Sequence, residues 1–285
     1  MYIKNLYRFV ANKPFKLILL GLLLLVFYYF CLPKQMFKDP KSTLIESKEG
    51  LLLGAKIAAD GQWRFPKSHP ISNKFKHCIL QFEDAYFYKH FGFNPVSMAK
   101  AISSNLQEQA AKRGASTITQ QVIRLSRKGK PRTYFEKLKE LILATMLEFR
   151  FSKEEILMLY VSNALFGGNV VGIEAASWRY YGRSSEQLSW AENATLAVLP
   201  NAPSLIYPGK NQAILMRKRN RLLQKLYSKS IIDSLSYSLA IQEKLPRKPH
   251  ALPSSSSHLL EHLTQTNSEQ YIQTSISFQL QKKCK

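Results

Sequence analysis

The chain has 285 residues, with 41 Lys plus Arg against 19 Asp plus Glu and a formal net charge of +22. Apolar residues make up 45% and aromatics 12%, which excludes a disordered basic tail and points to a folded protein that attracts anions. Three cysteines, at 31, 78 and 284, and six scattered histidines give neither a disulfide framework nor a metal-ligand spacing.

Residues 15–32 are apolar apart from Lys16, and as a helix they would span about 27 Å, close to the hydrocarbon thickness of a bilayer. The sequence therefore predicts a transmembrane anchor at 15–32 behind a cytoplasmic tail at 1–14. The bulky Tyr28, Tyr29, Phe30 and Cys31 leave no small-residue cleavage site, so the anchor is expected to be retained. Basic residues flank both ends, and charge gives only a slight lean toward an amino-terminus in the cytoplasm. A small extended segment is predicted at 50–66, and roughly seven to nine helices between 74 and 242. Ser152 to Glu155 and Thr133 to Glu136 both have capping-box form. The main domain is read as 45–242. A Pro- and Ser-rich break at 246–257 marks a linker, and the last 28 residues are polar and too short to make a domain.

Charge is uneven. Residues 112–139 hold nine Lys or Arg against the single acid Glu136, and a second run contains Arg217, Lys218, Arg219, Arg221, Lys225 and Lys229. Solvated helix faces are one reading and nucleic acid another. A membrane-tethered phosphate or pyrophosphate fits both the charge and the anchor better.

Glu83, Phe87 and His90 are spaced i, i+4, i+7, which on a helix ending near Gly92 would put them on one face with Asp84 beside them. In Gly114 to Gln121 (GASTITQQ), Ser116 is placed to cap a helix whose first turn offers N–H groups to an anion. Gln120, Gln121 and Arg124 would extend that surface. The helix from 134 to about 150 shows an apolar stripe at Phe135, Leu138, Ile142, Met146 and Phe149, expected to face the core. Lys137 and Glu140 fall on the opposite side. Glu148, on nearly the same side as Glu140, has no motif around it and is expected to be plain surface.

In order, Glu83 to Gly92 (EDAYFYKHFG), Gly114 to Gln121, Lys137 to Glu140 (KLKE), Lys153 to Asn163 (KEEILMLYVSN) and Lys218 to Leu223 (KRNRLL) resemble the five motifs of peptidoglycan glycosyltransferases. The opening Leu52 to Pro66 further resembles class A penicillin-binding proteins of the 1C type, two-domain enzymes whose second domain is a transpeptidase. That second domain is expected to be missing, with 243–285 read as a linker and its truncated start, where Thr274 to Gln281 resembles the strand that leads into it. The SxxK at Ser97 to Lys100 lies within a predicted helix, and no Lys-Ser/Thr-Gly occurs, so Ser97 is read as coincidence rather than an acyl-serine site.

The resemblance implies a mainly α, lysozyme-like fold of two lobes with an amino-terminal transmembrane helix, its catalytic domain on the periplasmic face of the bacterial inner membrane. Its partners would be lipid II, the growing glycan strand, the membrane and other cell-wall synthesis proteins, not nucleic acid. Glu83 would be the general base, taking the proton from the acceptor 4-hydroxyl, and Glu140 the second glutamate of the site. Asp84, Phe87, His90, Ser116, Thr117, Gln121, Arg124, Lys137 and Asn163 would contact substrate. The resemblance fixes no cofactor and leaves a magnesium or manganese ion at the pyrophosphate as an open option. Glu136, Arg124 and Met158 stand where the family usually has Arg, Lys and Glu. A non-catalytic scaffold that binds lipid II is the alternative these departures suggest. A glycan hydrolase is a third reading, against which the basic runs argue.

Overall fold

The computed structural model describes residues 13–33, 35–66, 69–99, 116–128, 130, 133–266 and 269–283. In chain order the elements are α1 (Lys13–Phe30), β1 (Thr43–Glu46), β2 (Leu52–Lys56), β3 (Trp63–Arg64), α2 (Asn73–Glu83), α3 (Ile118–Ser126), α4 (Tyr134–Arg150) and α5 (Lys153–Asn163). They continue with β4 (Val170–Val171), α6 (Ile173–Tyr181), α7 (Trp190–Val198), α8 (Gln212–Ser228), α9 (Ser234–Gln242), α10 (Ser257–Thr266), β5 (Tyr271–Gln273) and α11 (Phe278–Lys283). The protein is mainly helical, as its spacing predicts. It divides into two compact units, residues 1–38 with 91–152 and residues 39–90 with 153–285.

The second unit is built around α7, which is buried on every side. Ala191, Ala194, Leu196, Ala197 and Val198 each expose 1% or less, and these mostly small side chains let α2, α6, α8 and α9 pack closely around the helix. Several of its polar groups are satisfied locally: Ser189 and Glu192 close a capping box, and Thr195 donates to the Ala191 carbonyl at 2.7 Å, whereas the buried Asn193 Oδ1 has no hydrogen-bond partner among the described residues. Arg219, only 1% exposed, donates to the carbonyls of Glu243 (2.6 Å) and Ile241 (3.3 Å). This cation therefore caps the end of α9 and belongs to the scaffold.

β1 pairs antiparallel with β2 and parallel with β5, in the order β2-β1-β5. The tail expected as a linker and the truncated start of a second domain thus folds back onto the start of the unit, and the strand expected at 274–281 is replaced by β5 just before it and by helix α11 over Phe278–Lys283. Tyr271 donates to Glu46 Oε2 at 2.6 Å, Ser255 N–H to the Leu53 carbonyl at 3.0 Å, and α10 lies against β2 and β1. Three residues are too few to show the alternation that announces a strand.

In the first unit α3 packs on α4. Thr117, not Ser116, caps α3: its side chain accepts from Gln120 N–H while Gln120 returns to Thr117 N–H. At α4 only half of the expected box forms, with Thr133 accepting from Glu136 N–H at 3.2 Å and the Glu136 carboxylate turned to Arg127 at 2.8 Å. The stripe on α4 is reversed from expectation. Phe135, Leu138, Ile142 and Phe149 expose between 44% and 70%, and only Met146 of the five is buried, beside Ala144 and Leu147. Polar bonds from α3 to Glu140 and Glu148 hold the other side of the helix inward, which turns the aromatic row out.

The end of α1 rests on the end of α4. The Thr145 hydroxyl donates to the Ile142 carbonyl, which leaves Tyr28 as donor in its 2.7 Å bond to Thr145. Tyr28 and Phe91 both meet the Phe149 ring edge-on, and Arg150 donates to the Leu32 carbonyl at 2.8 Å. Among the described residues no helix is long and apolar enough to cross a membrane, so the predicted span is unconfirmed. With Lys13 and Lys16 in its first turn, the uninterrupted apolar part of α1 starts at Leu17 and supplies only about 21 Å of rise.

Gly92 fits tightly beside α4. At φ +80°, a Cβ would lie 2.8 Å from the Ala144 carbonyl carbon and 2.9 Å from Thr145 N, and the Gly92 carbonyl accepts from Thr117 Oγ1 at 2.7 Å. Gly92→Ala should destabilise the chain by about 2 to 4 kcal/mol, from backbone strain plus a clash with backbone that has no room to yield. A thermal melt within a degree of the parent would contradict that.

Candidate functional site

The candidate residues fall in both units. In the second unit, Ser72 caps α2 by accepting from Phe75 N–H, and Phe75, Cys78 and Ile79 fix the helix to the core, with Glu83 as its last residue. The single helix expected through His90 does not form. Asp84 leaves helical geometry at φ −155° and ψ 80°, and a 3₁₀ turn, Phe87–Lys89, follows. The break has a reason in the side chains: Phe87 is drawn into the core at 1% exposure, and Asp84 turns inward to His90. Asp84 and His90 thus meet across a turn rather than on a helix face.

His90 Nε2 lies 2.9 and 3.1 Å from the two Asp84 oxygens, with side chains 6% and 5% exposed. A nitrogen shared by both carboxylate oxygens is the protonated one, so Asp84 fixes the tautomer and ring plane of His90. Lys153, the first residue of α5, donates to the His90 carbonyl at 2.7 Å and sits 4.5 Å over the Phe87 ring. These contacts make a stiff floor for the chain that leaves Glu83.

Two lysines of the second basic run meet the same end of α2. Lys225 donates to the Gln81 carbonyl. Lys218, seven residues earlier on α8, donates to Asn201 Oδ1 at 2.7 Å. Burial pushes its ammonium pKa down, and the Glu83 carboxylate opposes that effect. Lys218 belongs to the fifth motif but not to the expected contact residues. Its i, i+7 relation to Lys225 is the signal that could have found it. Asn163 bonds instead within α5, donating to the Leu159 carbonyl at 2.9 Å.

In the first unit, Arg124 on α3 and Glu140 on α4 form a fork. Nε donates to Oε1 at 3.0 Å and Nη2 to Oε2 at 2.9 Å, and Nη2 also donates to Ser116 Oγ at 3.0 Å. Arg124 is 36% exposed and Glu140 13%. Glu136 is similarly engaged, by Arg127 at 2.8 Å and Lys139 at 3.6 Å, and the Arg127 guanidinium holds its carboxyl below the usual range. Lys137 is exposed. Gln121 continues α3 half-buried, its N–H donating to the Thr117 carbonyl. Glu148 is not plain surface: its Oε1 accepts from Thr119 Oγ1 at 2.6 Å, and Thr119 is fully buried. Of the second motif, Gly114 and Ala115 lie outside the described residues, as do Lys112, Arg113 and Arg132 of the basic run.

Among the described residues no group of three or more His, Cys, Asp or Glu is placed to hold a metal ion. The arrangement offers one carboxylate braced beside a lysine, and separately a guanidinium fork with an exposed lysine one turn from it. These are the parts of proton abstraction and of anion stabilisation.

The sequence profile of the family described as Transglycosylase matches residues 53–227. Penicillin-binding protein 1C of Escherichia coli (strain K12) is 34% identical over 222 residues, 78% of this chain and 29% of that protein. Penicillin-binding protein 1A of Pseudomonas aeruginosa is 35% identical over 180 residues, 63% of this chain and 22% of that protein. A crystal structure of penicillin-binding protein 1A from Haemophilus influenzae aligns over 85% of this chain and 28% of that one, with a TM-score of 0.42 and 17% identity. The chain therefore spans less than a third of the length of these relatives.

Proposed function

Because the chain belongs to the transglycosylase family, we propose that it is a peptidoglycan glycosyltransferase that polymerises lipid II into glycan strands. Glu83 acts as general base on the acceptor 4-hydroxyl. The oxygen attacks the donor anomeric carbon, inverts an α link to β-1,4 and expels undecaprenyl pyrophosphate. The observation that carries this reading is the setting of Glu83 within the matched residues 53–227, as the last residue of a capped helix, next in sequence to the hydrogen-bonded Asp84–His90 pair and within electrostatic reach of Lys218. General-base help of this kind contributes roughly 10² to 10⁴ in rate. Arg124 and Lys137 stabilise the departing pyrophosphate, and Glu140 positions the reactants. The engagement of Glu136 by Arg127 and Lys139 gives that departure a structural role and weakens the case for a scaffold.

The reading includes a membrane seat. α1 exposes Leu17, Leu22, Leu25, Phe27 and Phe30, and α4 exposes Tyr134, Phe135, Leu138 and Ile142 within the same unit. Apolar area on this scale is stable only against an apolar partner. Here that partner is the inner membrane, with the amino-terminus in the cytoplasm and the catalytic residues in the periplasm. A chain beginning at residue 45 should still co-sediment with anionic liposomes in a salt-dependent way. Replacing Phe135, Leu138 and Ile142 by Ser should then lower recovery severalfold. Full recovery of the unsubstituted chain in the supernatant at low salt would remove the membrane seat.

The deciding assay incubates purified full chain with labelled lipid II in detergent and looks for glycan polymer. Polymer supports the enzyme. Binding of lipid II without polymer would favour the scaffold.

A further inference from the structure

Arg124 is the cation best shaped to hold a diphosphate, and its fork already holds an anion. The Nε/Nη2 edge of its guanidinium is committed to Glu140, at 3.0 and 2.9 Å, and Nη2 also donates to Ser116 Oγ at 3.0 Å, which leaves the Nη1 donors. The same pattern recurs one turn along α3, where Arg127 is bound to Glu136. The basic run is therefore partly neutralised from within, and Arg124 cannot serve a ligand and Glu140 with the same two N–H groups. We propose that Glu140 is the resident counter-anion of a diphosphate seat formed by Arg124 and Ser116, and that a diphosphate ligand displaces its carboxylate from the Nε/Nη2 edge on binding.

The chemistry supports an exchange rather than a permanent lock. Arg124 keeps 36% of its side chain exposed, so its pair with Glu140 is partly screened and of modest strength. A diphosphate brings at least two charges and several acceptor oxygens against one carboxylate, and a planar fork binds phosphate as readily as carboxylate. Lys137, exposed on the same helix one turn before Glu140, adds attraction for the newcomer. The displaced carboxylate becomes an acceptor for the substrate's own donors. Arrival of the leaving group thus releases Glu140 for its role in the reaction. Arginine at this position matters, because its planar fork engages both oxygens of a carboxylate or a phosphate side by side, where a lysine ammonium acts as a point charge.

This inference rests on the glycosyltransferase reading, and its test is separate from it. Binding of inorganic pyrophosphate and of farnesyl pyrophosphate to the full chain in detergent is measured by titration calorimetry at fixed ionic strength, with Glu140→Gln, Glu140→Asp and Arg124→Ala. Removing the competing charge in Glu140→Gln should tighten pyrophosphate binding about tenfold or more. Arg124→Ala should lose most of it. Glu140→Asp, one methylene short of the fork, should bind about threefold tighter than the parent and serves if Glu140→Gln does not fold. Farnesyl pyrophosphate binding more tightly than inorganic pyrophosphate would place a lipid-linked diphosphate in the seat, and equal affinities would place free pyrophosphate there. An unchanged or weaker affinity in both Glu140 variants would overturn the counter-anion role, even if the parent polymerises lipid II. Tighter binding in a chain that makes no polymer would leave this inference standing and remove the enzymatic one.

Discussion

Glu83→Gln is expected to lower glycan polymerisation by about 10² or more while lipid II binding survives, since the amide keeps size and hydrogen bonding but cannot accept a proton. The structure sharpens the expectation. Glu83 is the last residue of a helix fixed by Phe75, Cys78 and Ile79, so the substitution should leave the Asp84–His90 pair and the Lys225 contact to Gln81 in place. Single-turnover rates with binding measured in parallel separate a lost base from lost affinity. Glu140→Gln should also slow turnover, through positioning rather than proton transfer. Glu148→Gln should have little effect, because the amide oxygen still accepts from Thr119. Parent-level turnover by Glu83→Gln would place the base elsewhere.

How much of this could be read from the sequence depends on which physical effect set each feature. Helix starts with side-chain signals were legible: Thr133 caps α4 with the predicted partner. The offset from Ser116 to Thr117 shows the limit, because both residues can cap and only Gln120, three residues beyond Thr117, distinguishes them. Glu83 and His90 were expected together and are close in the chain's course, yet the helix face that was to join them is replaced by a turn. Spacing could not reveal this, since the turn is driven by burial of Phe87 and by the Asp84–His90 bond. The α4 stripe was read correctly as a stripe and assigned to the wrong environment. Periodicity reports one apolar side but not whether protein or another apolar medium covers it. Glu148 was misread because its partner, Thr119, is distant in sequence. β5 was invisible for the same reason, since its pairing with β1 spans more than 200 residues.

The last expectation separates cations that work on the leaving group from those that only solvate the surface. Arg124→Ala and Lys137→Ala should each cost about 2 to 4 kcal/mol of transition-state stabilisation, the scale for losing a preorganised donor at developing negative charge. In kcat/KM that is roughly a 30- to 1000-fold loss. Lys229→Ala should be nearly neutral, because Lys229 is exposed just past the end of α8. Arg124 is the less clean of the two. Its removal also strands Glu140, whose side chain is only 13% exposed, so part of any loss would be structural and should appear as a lower melting temperature. Lys137 has no such burden: it is exposed, and surface substitutions of this kind usually shift stability by no more than about 0.5 kcal/mol. A Lys137→Ala protein that melts with the parent but has lost most of its kcat/KM, with a shallower dependence of rate on salt, places its charge at the pyrophosphate. Equal, small losses in all three variants would return both basic runs to solvated surface.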